Sequence, residues 1–390
     1  MSSRVVCAPN RSASEPSCPY ATDPHSPEPW QELIRLDGVD DPSSKATDTS
    51  PIHRAARIED WFQARRVRSS SKRGRVPQVI PFRGYGSTSW IRVLARVVMA
   101  EKPDPSEPTP KKIRGWRSFT SPPVPFADVS IQVDGQSLTV QADRGGVIDS
   151  TLLVSLAPGW HDIWFRVGDG LAVRGRVFVV ADNQRIGVIC DVDDTVMVTA
   201  LPRPFLAAWN SFVRDEHARR PVPGMAVLLE RIVRQYQGCP VIYLSTGAWN
   251  VQPTLNRFMK RHLFPLGSLL LTDWGPTTDR FFRSGLQHKK DSLERLVADF
   301  PDIKWILIGD DGQHDEDLYS DFAMSHPENV RAIAIRELLA PEAILAGGRS
   351  HRNRTVDPDV TPWVSASNGA GLATELSRLG VLEWPSHSPE

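Results

Sequence analysis

The sequence is poor in cysteine and carries no excess charge of either sign. Its 390 residues include only four cysteines, and none of them forms a CxxC pair. Such scattered cysteines argue against a disulfide framework and a zinc knuckle, and they indicate reduced thiols in a cytoplasmic protein. Lys plus Arg and Asp plus Glu both number 46, so the formal net charge is zero. This balance argues against a nucleic-acid-binding protein that relies on bulk positive charge.

Long apolar runs are also missing. The stretch 90–100 is apolar, but Arg92 and Arg96 interrupt it, and it falls short of the roughly 20 residues that a membrane-spanning helix needs. The first 29 residues lack the apolar core of a secretory signal. We therefore expect a cytoplasmic protein, with at most peripheral contact to the inner face of the membrane. The sequence carries no indication of an oligomeric state.

Composition divides the chain into four regions. The first is rich in Ser, Pro, Asp and Arg, the second in short alternating strands, and the third in strands alternating with helices, while the last reverts to polar residues. The predicted regions are a disordered, basic N-terminal extension (1–75), a small β-rich, sandwich-like domain (76–182), an α/β domain (183–345) and a flexible C-terminal tail with one short helix (346–390).

The stretch 54–75 is strongly basic, with eight Lys or Arg residues against Glu59 and Asp60. Apolar residues at helical spacing predict a helix over 51–68. One interpretation is a patch for anionic lipid headgroups, which attract basic residues at membrane surfaces. The other, an ordinary solvated helix face, is favoured because charge runs usually have that origin.

Several strand signals fall within 76–182. Residues 90–96 alternate in hydropathy, which predicts a strand with one buried face. The dipeptide at 134–135, Asp-Gly, lies between two alternating runs and predicts a hairpin, and the Gly-Asp-Gly at 168–170 repeats this signal. The glycines within 83–87 predict a tight turn.

From residue 183 onward, apolar strands alternate with helical stretches. This βαβ pattern predicts a parallel sheet with helices on both faces. Such sheets bind ligands at the carboxyl ends of their strands. Polar residues directly follow three of the predicted strands, at Asp191–Thr195, Ser245–Gly247 and Asp310–Asp315.

Three carboxylates lie within four residues at the first strand end, on Asp191, Asp193 and Asp194. Their mutual repulsion is costly unless a cation or a proton lies among them. Mg²⁺ prefers a few carboxylates together with waters and phosphate oxygens. One carboxylate can instead attack phosphorus while a second, two residues on, protonates the leaving oxygen. The pattern also fits an acidic turn in which Asp or Thr caps a helix.

The other strand ends offer complementary groups. The hydroxyl of Ser245 or Thr246 can hold a phosphate oxygen, although strands often end in such residues for reasons of turn geometry. Asp310 and Asp311 can complete a cation site from the opposite side. Lys289, at the predicted start of a helix, can neutralise a nucleophilic carboxylate and a phosphate. The combination, rather than any single residue, indicates a site.

In this order the residues resemble a known superfamily. DVDDT fits the DxDxT motif of the haloacid-dehalogenase-like (HAD-like) phosphotransferases, and the hydroxyl, lysine and second acidic cluster fit the remaining motifs. More narrowly, the chain resembles the App1-type phosphatidate phosphatase family over about 76–340. The stretches that carry this resemblance are PFRGYG (81–86), DVDDTV (191–196), PVPGMAVLLERI (221–232), YLSTGAWN (243–250), HLFPLGSLLLTDW (262–274), HKKDSLERLVADFP (288–301) and ILIGDDGQHDEDLY (306–319).

The resemblance implies a HAD-like Rossmannoid sheet, a Mg²⁺ cofactor and two-step phosphoryl transfer from a lipid phosphate such as phosphatidic acid. It also implies roles for individual side chains. Asp191 would be the nucleophile and a Mg²⁺ ligand, Asp193 would be the general acid/base with its carbonyl on the metal, and Thr195 would support the motif. Ser245, with Thr246 as second candidate, would contact the phosphoryl group, and Lys289 would stabilise the phospho-aspartate. Asp310 would bind Mg²⁺, and Asp315 or Asp311 would support the metal.

Two departures from the family pattern bear on the substrate. The family has a pattern closer to Ser-x-Ser-Pro-Trp where this chain has Ser-Thr-Gly-Ala-Trp at 245–249, and Ser is expected at the position of Asp311. The segment 196–240 is too short for a closed cap domain, which favours a large substrate such as a lipid phosphate. The alternatives are a HAD-like phosphatase of a non-lipid phosphomonoester and a non-enzymatic module that binds phosphate or a membrane.

Overall fold

Two β-sheets organise the part of the chain that the structure, a computed structural model, describes. The described residues are 65–102, 121–198, 219–272, 278–312, 314–346 and 360–384. One sheet is mostly antiparallel and the other wholly parallel, which confirms an α/β protein with a separate β-rich region. The disorder predicted for 1–50 and most of the helix predicted over 51–68 lie outside the described residues, but 65–72 are helical.

The first sheet has the order β1-β3-β2-β8-β7-β4-β5, with β6 paired to β3. All neighbours are antiparallel except β2 and β8. Its strands are β1 (Arg75–Pro81), β2 (Arg83–Gly86), β3 (Trp90–Glu101), β4 (Asp128–Val133), β5 (Gln136–Gln141), β6 (Val147–Leu153), β7 (Gly159–Val167) and β8 (Val173–Val179).

Both predicted hairpins are confirmed. Strands β4 and β5 are joined by Asp134 and Gly135, whose φ angles of 46° and 74° are the positive values that a type I′ turn requires. Strands β7 and β8 pair on either side of 168–170, where the Gly170 N–H donates to the Val167 carbonyl at 3.0 Å.

Residues 83–87 do not form the predicted turn, because most of them belong to strand β2. A Cβ on Gly84 would collide with the Arg92 carbonyl, and one on Gly86 would collide with the Trp90 carbonyl. The glycines are therefore needed for the close approach of β2 to β3.

The second sheet has the order β11-β10-β9-β12-β13-β14. Strand β9 is central, and the chain builds outward to β11 on one side before it returns to build β12 to β14 on the other. Its strands are β9 (Ile186–Asp191), β10 (Val241–Ala248), β11 (Ser268–Thr272), β12 (Lys304–Asp310), β13 (Val330–Arg336) and β14 (Trp363–Ala366). The helices are α1 (Met225–Gln235), α2 (Gln252–Arg261), α3 (Thr278–Asp299), α4 (Asp315–Ser325), α5 (Ala340–Ala346) and α6 (Gly369–Arg378), with 3₁₀ turns at Trp249–Val251 and Pro327–Asn329.

Both faces of this parallel sheet are covered. From Trp305 to Asp310 every residue of β12 is buried, although successive side chains point to opposite faces. Helix α3 packs on β10 and β11, and α4 packs on β12 and β13. Among the described residues, no helix is both long and apolar enough to cross a membrane.

One hydrophobic core contains residues from both sheets. Phe82 stacks on Trp249 with ring centroids 4.9 Å apart. The hydroxyl of Tyr85 donates to a carboxylate oxygen of Asp299 at 2.9 Å. The β-rich region is thus packed directly against the parallel sheet.

This contact explains why β3 departs from its predicted pattern. Alternation over 90–96 predicts one buried face, yet Leu94, on the opposite face, is also fully buried. Leu94 belongs to the core shared with the parallel sheet, whereas Ile91 and Val93 belong to the core of the β-rich region. A strand between two cores loses the simple alternation of a half-buried sheet.

The tail predicted for 346–390 differs from the structure over 360–384: its one predicted short helix is present as α6, but it also contains strand β14, which the prediction of a flexible tail did not include. Strand β14 extends the parallel sheet beside β13, and α6 packs on both strands. The side chain of Asn368 caps α6 by accepting the Gly371 N–H at 3.0 Å. A four-residue strand carries too little periodicity to be recognised without its neighbours.

Replacing Leu372, a fully buried residue of α6, by Ala should lower the free energy of unfolding by about 2–5 kcal/mol. Leu379, just past the end of the same helix, is 48 % exposed, so Leu379→Ala should change this energy by no more than about 0.5 kcal/mol. Urea titrations of both variants test this, and small effects in both would contradict the packing of α6 into the core.

Candidate active site

Three buried carboxylates meet at the carboxyl edge of the parallel sheet. Asp191 ends β9, Asp310 ends β12, and Asp315 begins α4. One oxygen of each lies within 4.8 Å of the others, and all three residues are buried. The sheet order brings them together because β9 and β12 are adjacent and parallel.

Lys289 lies between two of these carboxylates. Its Nζ is 2.6 Å from Asp191 Oδ1 and 2.6 Å from Asp315 Oδ1. Lys289 is not at the start of a helix as predicted, since α3 begins at Thr278. Gly285 lies within this helix where a Cβ would press on the Thr246 methyl group. The glycine permits this packing. Because glycine disfavours helix, it also weakens the sequence pattern that would predict the first turns of α3.

The cluster is electrostatically strained without a further cation. Burial raises the pKa of Asp191 well above its usual range, Lys289 opposes this shift, and Asp315 and Asp310 add to it. Burial likewise raises the pKa of Asp310, with Asp315 and Asp194 as further causes. Burial opposes the charged form of Lys289, but the two carboxylates outweigh it and raise the pKa of Lys289.

Asp193 contacts the second predicted strand end. Its Oδ2 accepts a hydrogen bond from Ser245 Oγ at 3.0 Å, and the same Oγ accepts the Gly247 N–H at 3.0 Å. Strand β10 does not end at Leu244 but continues to Ala248, with an irregular register between them. Ser245 lies within this irregular stretch.

The remaining predicted residues hold neighbouring segments together. Thr195 is buried and donates to Asp310 Oδ2 at 3.3 Å. The backbone carbonyl of Thr246 accepts from Thr272 at 2.9 Å. Asp311 Oδ1 accepts the Leu338 N–H at 2.7 Å, so Asp311 fixes the segment after β13. Of Asp311 and Asp315, the structure thus places Asp315 in the carboxylate cluster.

Two buried arginines near the site were not anticipated. Arg219 is 8 % exposed; burial lowers its pKa, and the charges of Asp193 and Asp194 oppose that shift. Arg336 donates to the backbone carbonyl of Asp194 at 2.6 Å. Arg336 had a recognisable signal, because a charged residue ends the apolar run VRAIAIR of β13.

The donor set fits a hard divalent cation. All the candidate ligand atoms are carboxylate oxygens, the type that Mg²⁺ prefers. Asp315 Oδ2 is buried without a hydrogen-bond partner among the described residues. An additional positive charge would relieve both this oxygen and the raised pKa values of Asp191 and Asp310.

Residues 186–337 match the family model of the catalytic domain of phosphatidate phosphatase APP1. This segment belongs to the APP1-type family. All of the predicted site residues lie within it, so the APP1-type segment contains the whole carboxylate cluster.

Two curated relatives each match about two fifths of the chain. Phosphatidate phosphatase APP1 of Saccharomyces cerevisiae is 27 % identical over 153 residues, which are 39 % of this chain and 26 % of the yeast protein. An uncharacterized protein of Schizosaccharomyces pombe is 25 % identical over 162 residues, which are 41 % of this chain and 26 % of that protein. The chain therefore matches about a quarter of the length of each relative.

Among solved structures, a carbohydrate acetylesterase from Xanthomonas citri is 12 % identical, covering 78 % of this chain and 75 % of that one, with a TM-score of 0.28. A TM-score this low does not indicate a shared fold.

Lys289→Met leaves Asp191 and Asp315 without their shared cation, and in metal-free buffer near neutral pH it should lower the free energy of unfolding by about 3–5 kcal/mol. Lys290 is exposed, so Lys290→Met, the matched control, should stay within about 0.5 kcal/mol of the parent protein. Denaturant titration measures both.

The deficit of Lys289→Met should also depend on pH. Without the ammonium group, the pKa values of the buried carboxylates rise further above those of the unfolded chain, so the folded state binds protons more tightly. The deficit should therefore narrow as the pH falls from about 8 to about 5. A deficit that widens on acidification would argue against this electrostatic origin.

Proposed function

We propose that this chain is a Mg²⁺-dependent, HAD-like phosphatase that hydrolyses a phosphomonoester through an aspartyl-phosphate, with phosphatidic acid as the expected substrate. The observation that carries the proposal is the pair of 2.6 Å contacts from Lys289 to Asp191 and Asp315. These residues lie in an APP1-type segment, and a buried lysine between carboxylates at a strand end is suited to phosphoryl transfer.

The carboxylates of Asp191, Asp310 and Asp315 would hold Mg²⁺, together with the backbone carbonyl of Asp193. When bound, the ion would offset negative charge on the phosphate and on these carboxylates. The chain supplies the remaining chemistry through its own side chains.

In the first step, a carboxylate oxygen of Asp191 attacks phosphorus. A bond forms from this oxygen to phosphorus, the bond from phosphorus to the ester oxygen breaks, and Asp193 gives its proton to the leaving alkoxide. The Lys289 ammonium group offsets charge on Asp191 and on the phosphoryl oxygens. Ser245, which touches both Asp193 and the Gly247 N–H, would hold a phosphoryl oxygen, and Thr246 is the second candidate.

In the second step, water attacks the phosphorus of the aspartyl-phosphate. Asp193, now ionised, takes a proton from this water, and the bond from phosphorus to Asp191 breaks. Inorganic phosphate leaves and the Asp191 carboxylate is restored. Thr195 would keep the two acidic segments in register through its contact to Asp310.

The support for this substrate comes from the family match. One relative is named a phosphatidate phosphatase, and a lipid substrate requires peripheral contact with a membrane.

At the site, 196–198 pair with 220–222. The Val198 N–H donates to the Arg220 carbonyl, and the Val222 N–H donates to the Val196 carbonyl. The segment 199–218 between them lies outside the described residues; it is part of the stretch 196–240 that the sequence predicts to be too short for a closed cap. A non-lipid phosphomonoester is the second candidate substrate.

Asp191→Asn should reduce Mg²⁺-dependent phosphate release by more than about 10³-fold, because the amide is a poor nucleophile. Asp317→Asn removes an exposed carboxylate of α4 and should leave the rate unchanged. Phosphate release from p-nitrophenyl phosphate and from phosphatidic acid vesicles provides the measurement. Equal rates for Asp191→Asn and the parent protein would refute the nucleophile, and turnover of the soluble ester alone would retain the phosphatase and remove the lipid.

Mg²⁺ should raise the melting temperature of the parent protein, since at about 100 times its Kd a ligand adds roughly 2.7 kcal/mol to the stability of the folded state. Asp310→Asn should lose most of this increase, while Asp321→Asn, an exposed residue of α4, should keep it. Calorimetry with and without MgCl₂ measures the shift. An equal Mg²⁺ effect in all three proteins would place the ion elsewhere.

A further inference from the structure

We propose that Arg336 is a positioning residue that fixes the turn carrying Asp193. This inference rests on the proposed function, in which Asp193 gives a proton to the leaving alkoxide. Arg336 reaches Asp193 only through the backbone of the next residue, Asp194, so it does not itself contact the reacting groups.

The guanidinium of Arg336 is held by partners from three segments. Arg336 ends β13 and is 2 % exposed. One of its terminal nitrogens donates to the Asp194 carbonyl at 2.6 Å, and the other donates to Glu342 Oε2 at 2.6 Å. Its Nε donates to the Ser367 carbonyl at 3.4 Å. A planar guanidinium can satisfy such divergent acceptors at once, whereas a lysine ammonium cannot reproduce this geometry.

The turn that Arg336 holds has an unfavourable backbone conformation. Asp194 has φ of 60°, in the left-handed region that non-glycine residues seldom adopt. Its N–H donates to the Met197 carbonyl at 2.9 Å, and its carbonyl accepts from Arg336. Strained conformations persist only where neighbouring contacts over-determine them. Removing the guanidinium would therefore let the turn relax.

Asp193 is the residue that this relaxation would displace. It immediately precedes Asp194, and its carboxylate is aligned by the 3.0 Å hydrogen bond from Ser245. Asp191 should be less affected, because as the last residue of β9 it pairs with Leu244 of β10, and the Val192 N–H that follows donates to the Leu244 carbonyl at 3.1 Å. Loss of Arg336 should thus affect proton donation more than nucleophilic attack.

Arg336 also links this turn to the second acidic strand end. Its backbone carbonyl accepts the Asp311 N–H at 2.9 Å, and Arg336 pairs with Asp310 in the register of β12 and β13. One residue therefore contacts both acidic segments, one through its side chain and the other through its backbone.

The test compares esters whose leaving groups differ in their need for a proton. p-Nitrophenolate leaves readily without protonation, whereas the alkoxide of a simple alkyl phosphate requires it. We expect Arg336→Gln to lower kcat/KM for the alkyl phosphate about 10-fold more than for p-nitrophenyl phosphate, since general acid catalysis contributes roughly 10²–10⁴-fold. Glu342→Gln, which retains Arg336 and removes only its charged partner, should show a smaller split in the same direction.

Arg331→Gln is the matched control. Arg331 lies at the other end of the same strand, where its side chain donates to the Gly380 carbonyl at 3.3 Å, so it should lower both rates equally or not at all. If Arg336→Gln and Glu342→Gln also lower both rates equally, with only a lower melting temperature, Arg336 is merely structural and the proposal is overturned.

Asp193→Asn separates this proposal from the proposed function. If Asp193→Asn shows the leaving-group split and neither network variant does, the inference about Arg336 alone is wrong. If Asp193→Asn itself loses both esters equally, the acid role in the proposed function is wrong, and the role of Arg336 falls with it.

Discussion

The contact of the Lys289 ammonium with two buried carboxylates is the constraint on which the rest of the structure depends. Asp191 and Asp315 are both almost inaccessible to water, and each lies 2.6 Å from the same nitrogen. Charges in such surroundings are costly unless they are compensated by near neighbours. Three distant parts of the chain must therefore reach the same point: the end of β9, the middle of α3 and the start of α4.

The parallel sheet satisfies this requirement by its strand order. Strand β9 is central, and β10 and β12 are its neighbours. The chain leaves the carboxyl edge of the sheet at the ends of these three strands, and polar side chains lie at each of these points. Within the irregular stretch of β10, the Ser245 hydroxyl donates to Asp193. The acidic first turn of α4 places Asp315 where the helix dipole favours a negative charge.

Local signals in the sequence account for much of this arrangement. An apolar run followed at once by acidic residues predicted the ends of β9 and β12, and Asp-Gly at 134–135 predicted a hairpin because the turn needs positive φ. Features that depend on distant contacts were missed. The burial of Leu94 depends on the core shared with the parallel sheet. The helix pattern at the start of α3 is weakened by Gly285, where a Cβ would press on Thr246.

The partner of a buried charge is equally hard to predict from one sequence. Arg336 lies 142 residues from Asp194, and nothing local to either residue indicates that they meet. The same is true of β14, which has only four residues and is defined by its pairing with β13. Periodicity reports which face of an element is apolar, but it does not report what that face contacts.

The shared core also separates the segment that is recognisable in relatives from the unit that folds. The family match spans residues 186–337. Phe82, which precedes this range in the sequence, packs on Trp249, and α6, which follows it, packs on β13. A polypeptide trimmed to the matched residues would expose apolar surface that the intact chain hides.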